Sequence, residues 1–191
     1  MIARLYDPTS GQVLLDGRDI RSFTPEQRTA KIGFILQEPF LFSGSLRDNI
    51  LYGNEPLKNL DNQALTRLMD QMGLSGLLMR FEKGLDTPLS SAVDDISLGQ
   101  KQLIAFIRAV IRKPEVLILD EATANIDTVT EQLLSEILEK LPSSTTRIII
   151  AHRLNTIENA DEIFFVNAKE VTAAGTFEHA LELLLKGKRV S

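Results

Sequence analysis

The chain has 191 residues, a formal net charge of −5, 43% hydrophobic and 25% charged residues, and no cysteine. This length suits one sizeable core, and the composition is ordinary for a globular domain. The acidic balance argues against a nucleic-acid-binding surface, which would normally be basic. The lack of cysteine excludes disulfides and thiolate metal sites. No apolar run approaches the length that spans a bilayer.

The first 44 residues predict two strands around a short helix. Residues 11–17 and 31–37 are short apolar runs, which are typical of strands. Between them, Thr24 is a suitable N-cap and Pro25 suits the first position of a helical turn. The second apolar run ends at Gln37.

The next segment changes character. Apolar residues recur at helical spacing in 61–73 and again in about 97–112, and nothing between these two stretches resembles a strand. We therefore expect one domain, residues 1–191, whose α/β core (1–44 and 113–191) carries an inserted helical subdomain over 45–112.

The last third of the chain alternates strands with helices. Three continuous apolar runs, 116–120, 147–152 and 161–166, predict buried strands. The amphipathic stretch 128–141 and the stretch 177–186 predict helices. This alternation indicates an α/β fold with a mainly parallel sheet.

Polar side chains end three of the predicted strands: Gln37, the pair Asp120-Glu121, and His152. In parallel α/β sheets, ligands bind beyond the carboxyl ends of the strands. A carboxylate there can hold Mg²⁺, a second can polarise a water, and a neutral imidazole can reach a terminal phosphate. For any one of these residues, a turn cap or a satisfied histidine would be the commoner role. Their occurrence together favours a nucleotide site.

Five motifs, in order, resemble the ATPase domains of ATP-binding-cassette (ABC) transporters, a P-loop NTPase fold. They are Gln37 as the Q-loop glutamine, ISLGQKQ (96–102) as the signature sequence, VLILDEAT (116–123) as Walker B, ANID (124–127) as the D-loop, and AHRL (151–154) as the switch-histidine loop. The stretch LFSGSLRDNILYG (41–53) further resembles the exporter branch, in which it faces the transmembrane domain.

The resemblance implies ATP and Mg²⁺ as cofactors. It assigns Asp120 to Mg²⁺ through water, Glu121 to the attacking water as general base, and His152 to the γ-phosphate. Gln37 would sense both Mg²⁺ and the water. The implied activity is MgATP hydrolysis coupled to substrate export, at the cytoplasmic face of a membrane.

The resemblance also implies protein partners. Two cassettes of this family meet head to tail, as a homodimer or heterodimer, and transmembrane domains of the exporter bind them. The nucleotide of the opposite cassette would then be bound by Ser97, Gly99 and Gln100. Asp127, in the D-loop, is also expected to contribute to nucleotide binding. A serine hydroxyl and free backbone amides at a helix N-terminus do attract phosphate, although Ser97 would equally serve as an ordinary N-cap.

Some positions depart from the family pattern. Leu98 replaces the first glycine of the signature, which we interpret as a tolerated variant, and Ser91 stands where exporters usually carry a glutamate. No G-x-x-x-x-G-K-[ST] occurs in the 191 residues. We therefore expect the chain to begin just inside the Walker A helix, with 1–6 as its remnant. The absent strand is expected beside 116–120 and 147–152, and the chain alone is expected to be inactive.

A second hypothesis is a short, non-hydrolysing cassette that binds a partner cassette and regulates it. A helicase-type acid box is a poor interpretation, because the net charge and the signature-like sequence do not suit it. Chromosome-maintenance proteins of the same superfamily would require long heptad segments, and the sequence has none.

Overall fold

A computed structural model describes residues 1–90, 96–120, 126–151, 158–167 and 170–187, and Lys186 and Gly187 are described as backbone alone. The chain divides into two compact units, residues 1–148 and 149–191. No helix within the described ranges is long and apolar enough to cross a membrane.

The first unit contains most of the helices and strands. Its strands are β1 (Leu14–Leu15), β2 (Arg18–Asp19), β3 (Ile32–Ile35), β4 (Gly44–Ser45), β5 (Pro88–Leu89), β6 (Val116–Asp120) and the start of β7 (Thr146–Ile150). Its α-helices are α1 (Pro25–Lys31), α2 (Leu46–Leu51), α3 (Asn62–Gln71), α4 (Ser75–Leu78), α5 (Leu98–Val110) and α6 (Thr128–Glu139). Short 3₁₀ turns span Ile20–Ser22 and Gly84–Asp86.

The central sheet of the first unit has the strand order β3-β6-β7. Strands β3 and β6 are parallel, in register from Ile32 opposite Val116 to Ile35 opposite Leu119. The first four residues of β6 are buried, as the continuous apolar run predicts. Within the described residues β6 lies between β3 and β7, and the further strand expected beside 116–120 in a longer chain stays a prediction.

Two small antiparallel pairs accompany this sheet. The predicted strand at 11–17 is instead a pair of two-residue strands, β1 and β2, because the chain reverses at Asp16 and Gly17, which both have positive φ (51° and 73°). Strand β5 pairs with β4 inside the segment where we expected no strand. A two-residue strand is too short to give a period-2 signal in the sequence.

The helices begin where their side chains can satisfy free backbone amides. Thr24 and Gln27 form a capping box at the start of α1, with Pro25 as the first residue, as predicted. Helix α5 provides much of the core, since eight of its residues are buried. They are Gln102, Leu103, Ile104, Ala105, Phe106, Ile107, Ala109 and Val110.

Residues 1–6 form turns and bends rather than a helix, and their origin as the remnant of a Walker A helix stays a prediction. Arg4 has a φ of 53°, and its side chain bonds to Asp7 and to the carbonyl oxygen of Arg21. Helix nucleation has an entropic cost, and a helix of six residues would form very few backbone hydrogen bonds to offset it. Such local contacts therefore decide the conformation of this segment.

The second unit contains β8 (Phe164–Asn167), β9 (Glu170–Ala173) and α7 (Phe177–Gly187). Strands β8 and β9 form an antiparallel hairpin, and Ile163, Ala174 and Ala180 form a small buried cluster. The predicted burial of the second and third apolar runs is wrong: most of β7 and β8 is half-buried or exposed. The reason is that β7 is an edge strand of the central sheet, and the strand that pairs with β8 among the described residues is β9, in a two-stranded sheet.

Candidate functional site

Asp120 and Gln37 follow neighbouring parallel strands at the same end. Ile35 lies opposite Leu119, so Asp120 ends β6 at the level where the chain leaves β3 for Gln37. Asp120 is half-buried and Gln37 is exposed. The geometry therefore brings together the predicted Mg²⁺ ligand and the predicted Q-loop glutamine. The other predicted catalytic residues, Glu121 and His152, lie outside the described residues, as does Ser91.

Gln102 fixes the backbone at Gln37, and sequence reasoning did not single it out. Its side chain is 1% exposed, and its Nε2 donates to the carbonyl oxygen of Gln37 at 3.1 Å. Its Oε1 is buried without a hydrogen-bond partner among the described residues. The signal in the sequence is a glutamine within the apolar part of ISLGQKQLIAFI, because a buried amide needs a hydrogen-bond partner. The signature helix α5 thereby holds the loop that follows β3.

The predicted signature residues form the first turn of α5. Ser97 Oγ accepts from the backbone N of Gln100, and Gln100 Oε1 accepts from the backbone N of Ser97, both at 3.1 Å. This capping box satisfies two backbone amides, those of Ser97 and Gln100, while Leu98 and Gly99 occupy the first two helical positions. The cap is complete with leucine in place of the family's glycine. Ser97 is thus an N-cap, and it is exposed at a helix N-terminus that can also bind an anion.

Asp127 begins the other helix of the site. Its carboxylate accepts from the backbone N of Thr130 at 3.1 Å and from Thr130 Oγ1 at 2.6 Å, which caps α6. The Thr130 hydroxyl, the Thr130 backbone amide and the nearby charge of Arg80 hold the pKa of Asp127 below its usual value.

Arg80 connects these two helix starts. Its carbonyl oxygen accepts from Gln100 Nε2 at 3.2 Å, and its Nη2 donates to Asp127 at 3.4 Å. Residues predicted to face a partner cassette from two motifs are therefore joined within one chain. The ion pair is exposed, so it positions the two groups more than it stabilises the fold.

The donor set suits Mg²⁺ bound together with a nucleotide. Among the described residues, no group of three or more His, Cys, Asp or Glu could hold a metal by itself. Mg²⁺ commonly uses one or two carboxylates, several waters and substrate phosphates. Asp120, the carboxylate that ends β6 at this edge of the sheet, fits this kind of site.

Comparison with known proteins identifies the family. Residues 1–124 match the family model described as "ABC transporter". The chain belongs to the ABC transporter family. An uncharacterized ABC transporter ATP-binding protein of Bacillus subtilis is 41% identical over 181 residues, which is 95% of this chain and 30% of that protein. The mitochondrial ATP-binding cassette sub-family B member 10 of Mus musculus is 41% identical over 97% of this chain and 26% of its own length.

A solved structure agrees with this assignment. The structure of a bacterial Atm1-family ABC exporter with ATP bound matches 97% of this chain and 31% of its own chain, with a TM-score of 0.78 and 31% identity. The predicted exporter-type ABC cassette fold, with its parallel α/β sheet, is confirmed. The ABC chain described here spans about 30% of the length of such proteins.

Proposed function

We propose that this chain is the catalytic part of an ABC exporter ATPase, which hydrolyses MgATP and couples hydrolysis to export of a substrate. The observation that supports this most is the placement of Asp120 and Gln37 at one end of two parallel strands. The family and the exporter relatives support the general role. The transported substrate would be selected by membrane-embedded segments.

At the site, Asp120 would hold the ion through water, and Gln37 would orient the water that attacks the γ-phosphate. Bound Mg²⁺ would offset the charge of the phosphates. Glu121 would accept the proton of the attacking water as general base, and His152 would donate a hydrogen bond to the γ-phosphate. Gln102 would keep Gln37 in place by its hydrogen bond to the backbone.

A head-to-tail pair of cassettes would complete each site. The exposed N-terminus of α5, with Ser97, Gly99 and Gln100, would bind the phosphates held by the partner. Asp127 would lie at the same interface, since Arg80 links it to Gln100. We propose a homodimer or heterodimer of cassettes on the cytoplasmic face of a membrane, bound to transmembrane domains through the segment 41–53.

The substitution Glu121→Gln tests the catalytic assignment in a cassette that supplies a phosphate-binding loop. It keeps the size of the side chain and removes the base, so turnover should fall by about 10²–10⁴-fold. ATP binding and dimer closure should persist. The control is Glu139→Gln, which changes an exposed carboxylate at the end of α6. Near-normal turnover of Glu121→Gln would move the base elsewhere, with His152 the next candidate.

We also propose that a polypeptide of these 191 residues alone binds ATP weakly and does not turn it over. No G-x-x-x-x-G-K-[ST] loop occurs within them, so the amides and lysine that neutralise β- and γ-phosphates are not supplied. The measurement is phosphate release by the purified chain over a range of ATP concentrations. Saturable release that Glu121→Gln abolishes would contradict this proposal. Tight binding to a second cassette without turnover would favour the regulatory alternative.

A further inference from the structure

Two arginines near the C-terminal end of α5 line a pocket, and neither has an acidic partner among the described residues. The pocket has a volume of about 140 Å³ and is lined by Gly33, Phe34, Leu36, Pro39, Phe40, Ala105, Arg108, Ala109 and Arg112. Arg108 is in the last turn of α5, and Arg112 follows the C-cap Ile111; both side chains line this pocket. Both are half-buried.

Among the described residues, both guanidinium groups donate their hydrogen bonds to uncharged carbonyl or amide oxygens. Arg108 donates to the carbonyl oxygens of Asn49 and Phe40, at 2.7 and 3.2 Å, and to Asn49 Oδ1 at 3.3 Å. Arg112 Nη2 donates to the carbonyl oxygen of Tyr52, and Arg112 Nε is buried without a hydrogen-bond partner among the residues that the structure describes. In the part of the chain that the structure describes, neither arginine forms an ion pair.

The electrostatics of the pair are unfavourable as they stand. Burial and, to a lesser extent, the charge of Arg112 together lower the pKa of Arg108 to about 10, and burial lowers the pKa of Arg112. Two like charges have been moved away from water without a counter-charge, which is costly unless an anion accompanies them. An anion in the pocket would offset both costs at once.

The rim of the pocket is suited to a protein partner. Phe40 is 66% exposed and meets Phe42 edge to face, and Phe42 in turn packs on the exposed Tyr52. Asn49 holds this rim in place, because its side chain accepts from the backbone N of Phe42 and donates to the carbonyl oxygens of Phe42 and Ser45. Aromatic residues and arginine dominate the binding energy of protein interfaces.

We propose that the Arg108–Arg112 pocket receives one aspartate or glutamate side chain from the membrane-embedded part of the transporter. The apolar walls from Phe34, Leu36 and Ala109 pack against the stem of that side chain, and the guanidinium groups donate to its carboxylate. A free phosphate or chloride would make little use of the aromatic rim. This inference rests on the proposed function, and it adds the chemistry of the contact.

The first step of the test locates the partner. A photo-crosslinking amino acid replaces Phe40 at the exposed rim, in membranes that contain the assembled transporter, and mass spectrometry identifies the crosslinked peptide. We expect a membrane-protein segment that contains at least one aspartate or glutamate. Crosslinking to no membrane protein would overturn both this inference and the proposed membrane partner. Crosslinking to a segment without an acid would overturn this inference alone.

The second step is a charge exchange. Arg112→Glu should weaken docking, measured as crosslink yield and transport, by on the order of thirtyfold. Changing the identified acid to arginine in that background should restore both. Arg112→Gln, which adds no repulsion, is the milder variant, and circular dichroism checks that each variant folds. Arg67→Glu is the matched control, because Arg67 is exposed on α3 and bonds to its own helix.

The outcomes separate the alternatives. Unchanged docking in Arg112→Glu, or no restoration by any acid in the crosslinked segment, would overturn the inference. The isolated chain is also melted in phosphate and in chloride at equal ionic strength. A higher melting temperature in phosphate that Arg112→Gln abolishes would overturn the inference, because the pocket would then bind a free anion.

Discussion

Strands β6 and β8 look alike in the sequence and differ in the structure. The run VLIL in β6 and the run IFFV, which overlaps β8, are both continuous apolar segments that precede polar residues. Leu117 in β6 is fully buried, whereas Phe164 and Val166 in β8 are 56% and 69% exposed. Strand β6 lies between β3 and β7, and β8 pairs with β9 in a two-stranded hairpin.

This difference shows what an apolar run can and cannot predict. The run predicts a strand, because continuous apolar and β-branched residues suit a sheet with both faces covered. Burial depends on neighbours that are distant in sequence, such as helix α5, which packs on β3. The predicted ion ligand, Asp120, therefore ends a strand whose other four residues are buried and which has a strand on each side.

The largest expected effect is on stability when a side chain in β6 is truncated. Leu117→Ala should lower the free energy of unfolding by about 2–5 kcal/mol, because it removes apolar atoms from a fully buried site and leaves a cavity. Val166→Ala should change it by less than about 0.5 kcal/mol, since that side chain is exposed. Urea denaturation followed by circular dichroism measures both. Equal effects of the two changes would refute the contrast.

Truncating a side chain in β7 should lower the free energy of unfolding by an amount between the values for Leu117→Ala and Val166→Ala. Ile148 is half-buried and packs on the cluster of Leu15, Ile20, Phe23, Ile32, Val116 and Ile118. Ile148→Ala should therefore cost about 1–2 kcal/mol, roughly half the value for a fully buried isoleucine. The same denaturation experiment gives the value, and Arg147→Ala serves as the exposed neighbour. An effect as large as that of Leu117→Ala would mean that β7 is packed on both faces in solution.

The exposed face of the β8–β9 hairpin should promote self-association. Phe164, Val166 and Val171 lie on one face, because Val166 is directly opposite Val171 and Phe164 is two residues away on the same strand. Contiguous exposed apolar surface of this kind favours association. Val166→Lys should raise the concentration at which light scattering increases by about tenfold, since it removes one valine from the contact. Leu14→Lys, at an exposed position on β1, controls for the added charge.

The same reasoning explains which predictions succeeded. Local chemistry predicted the start of α1, because Thr24, Pro25 and Gln27 carry the capping signal themselves. It also predicted β3 and β6 as continuous apolar runs, and α3, α5 and α6, which are each long enough to show helical spacing. The two-residue strands and the reversal at Asp16-Gly17 give no such signal.

For the candidate site, the sequence supplied the residues and the structure supplied contacts between them. Asp120 and Gln37 were predicted to share one edge of the sheet, and the register brings them there. The hydrogen bond from Gln102 to Gln37 joins positions 65 residues apart. The Arg80 link between Gln100 and Asp127 depends on the packing of α4 against α6. Such contacts follow from tertiary packing, which no short pattern in the sequence contains.

The smallest expected effect is on the pH dependence of local opening at the N-terminal caps of α6 and α7, the helices that follow β6 and the β8–β9 hairpin. Asp127 caps α6 in the first unit with a carboxylate, and in the second unit Thr176 Oγ1 accepts from the backbone N of His179 at the start of α7. Hydrogen bonds from Thr130 lower the pKa of Asp127 in the folded chain below the usual 3.8. A lowered pKa means that the cap contributes its full stability above pH 3.8 and loses it as the pH falls through the folded-state value.

Hydrogen exchange at the first amides of α6 should therefore show added opening below pH 3.8, after correction for the intrinsic rate, whereas the neutral cap of α7 adds no such dependence. Asp127→Asn keeps a capping oxygen and removes the titrating group, so it should abolish this pH dependence at α6 and leave α7 unchanged. A pH dependence at α6 that survives Asp127→Asn would assign it to another group, and the proposed difference between the two caps would be wrong.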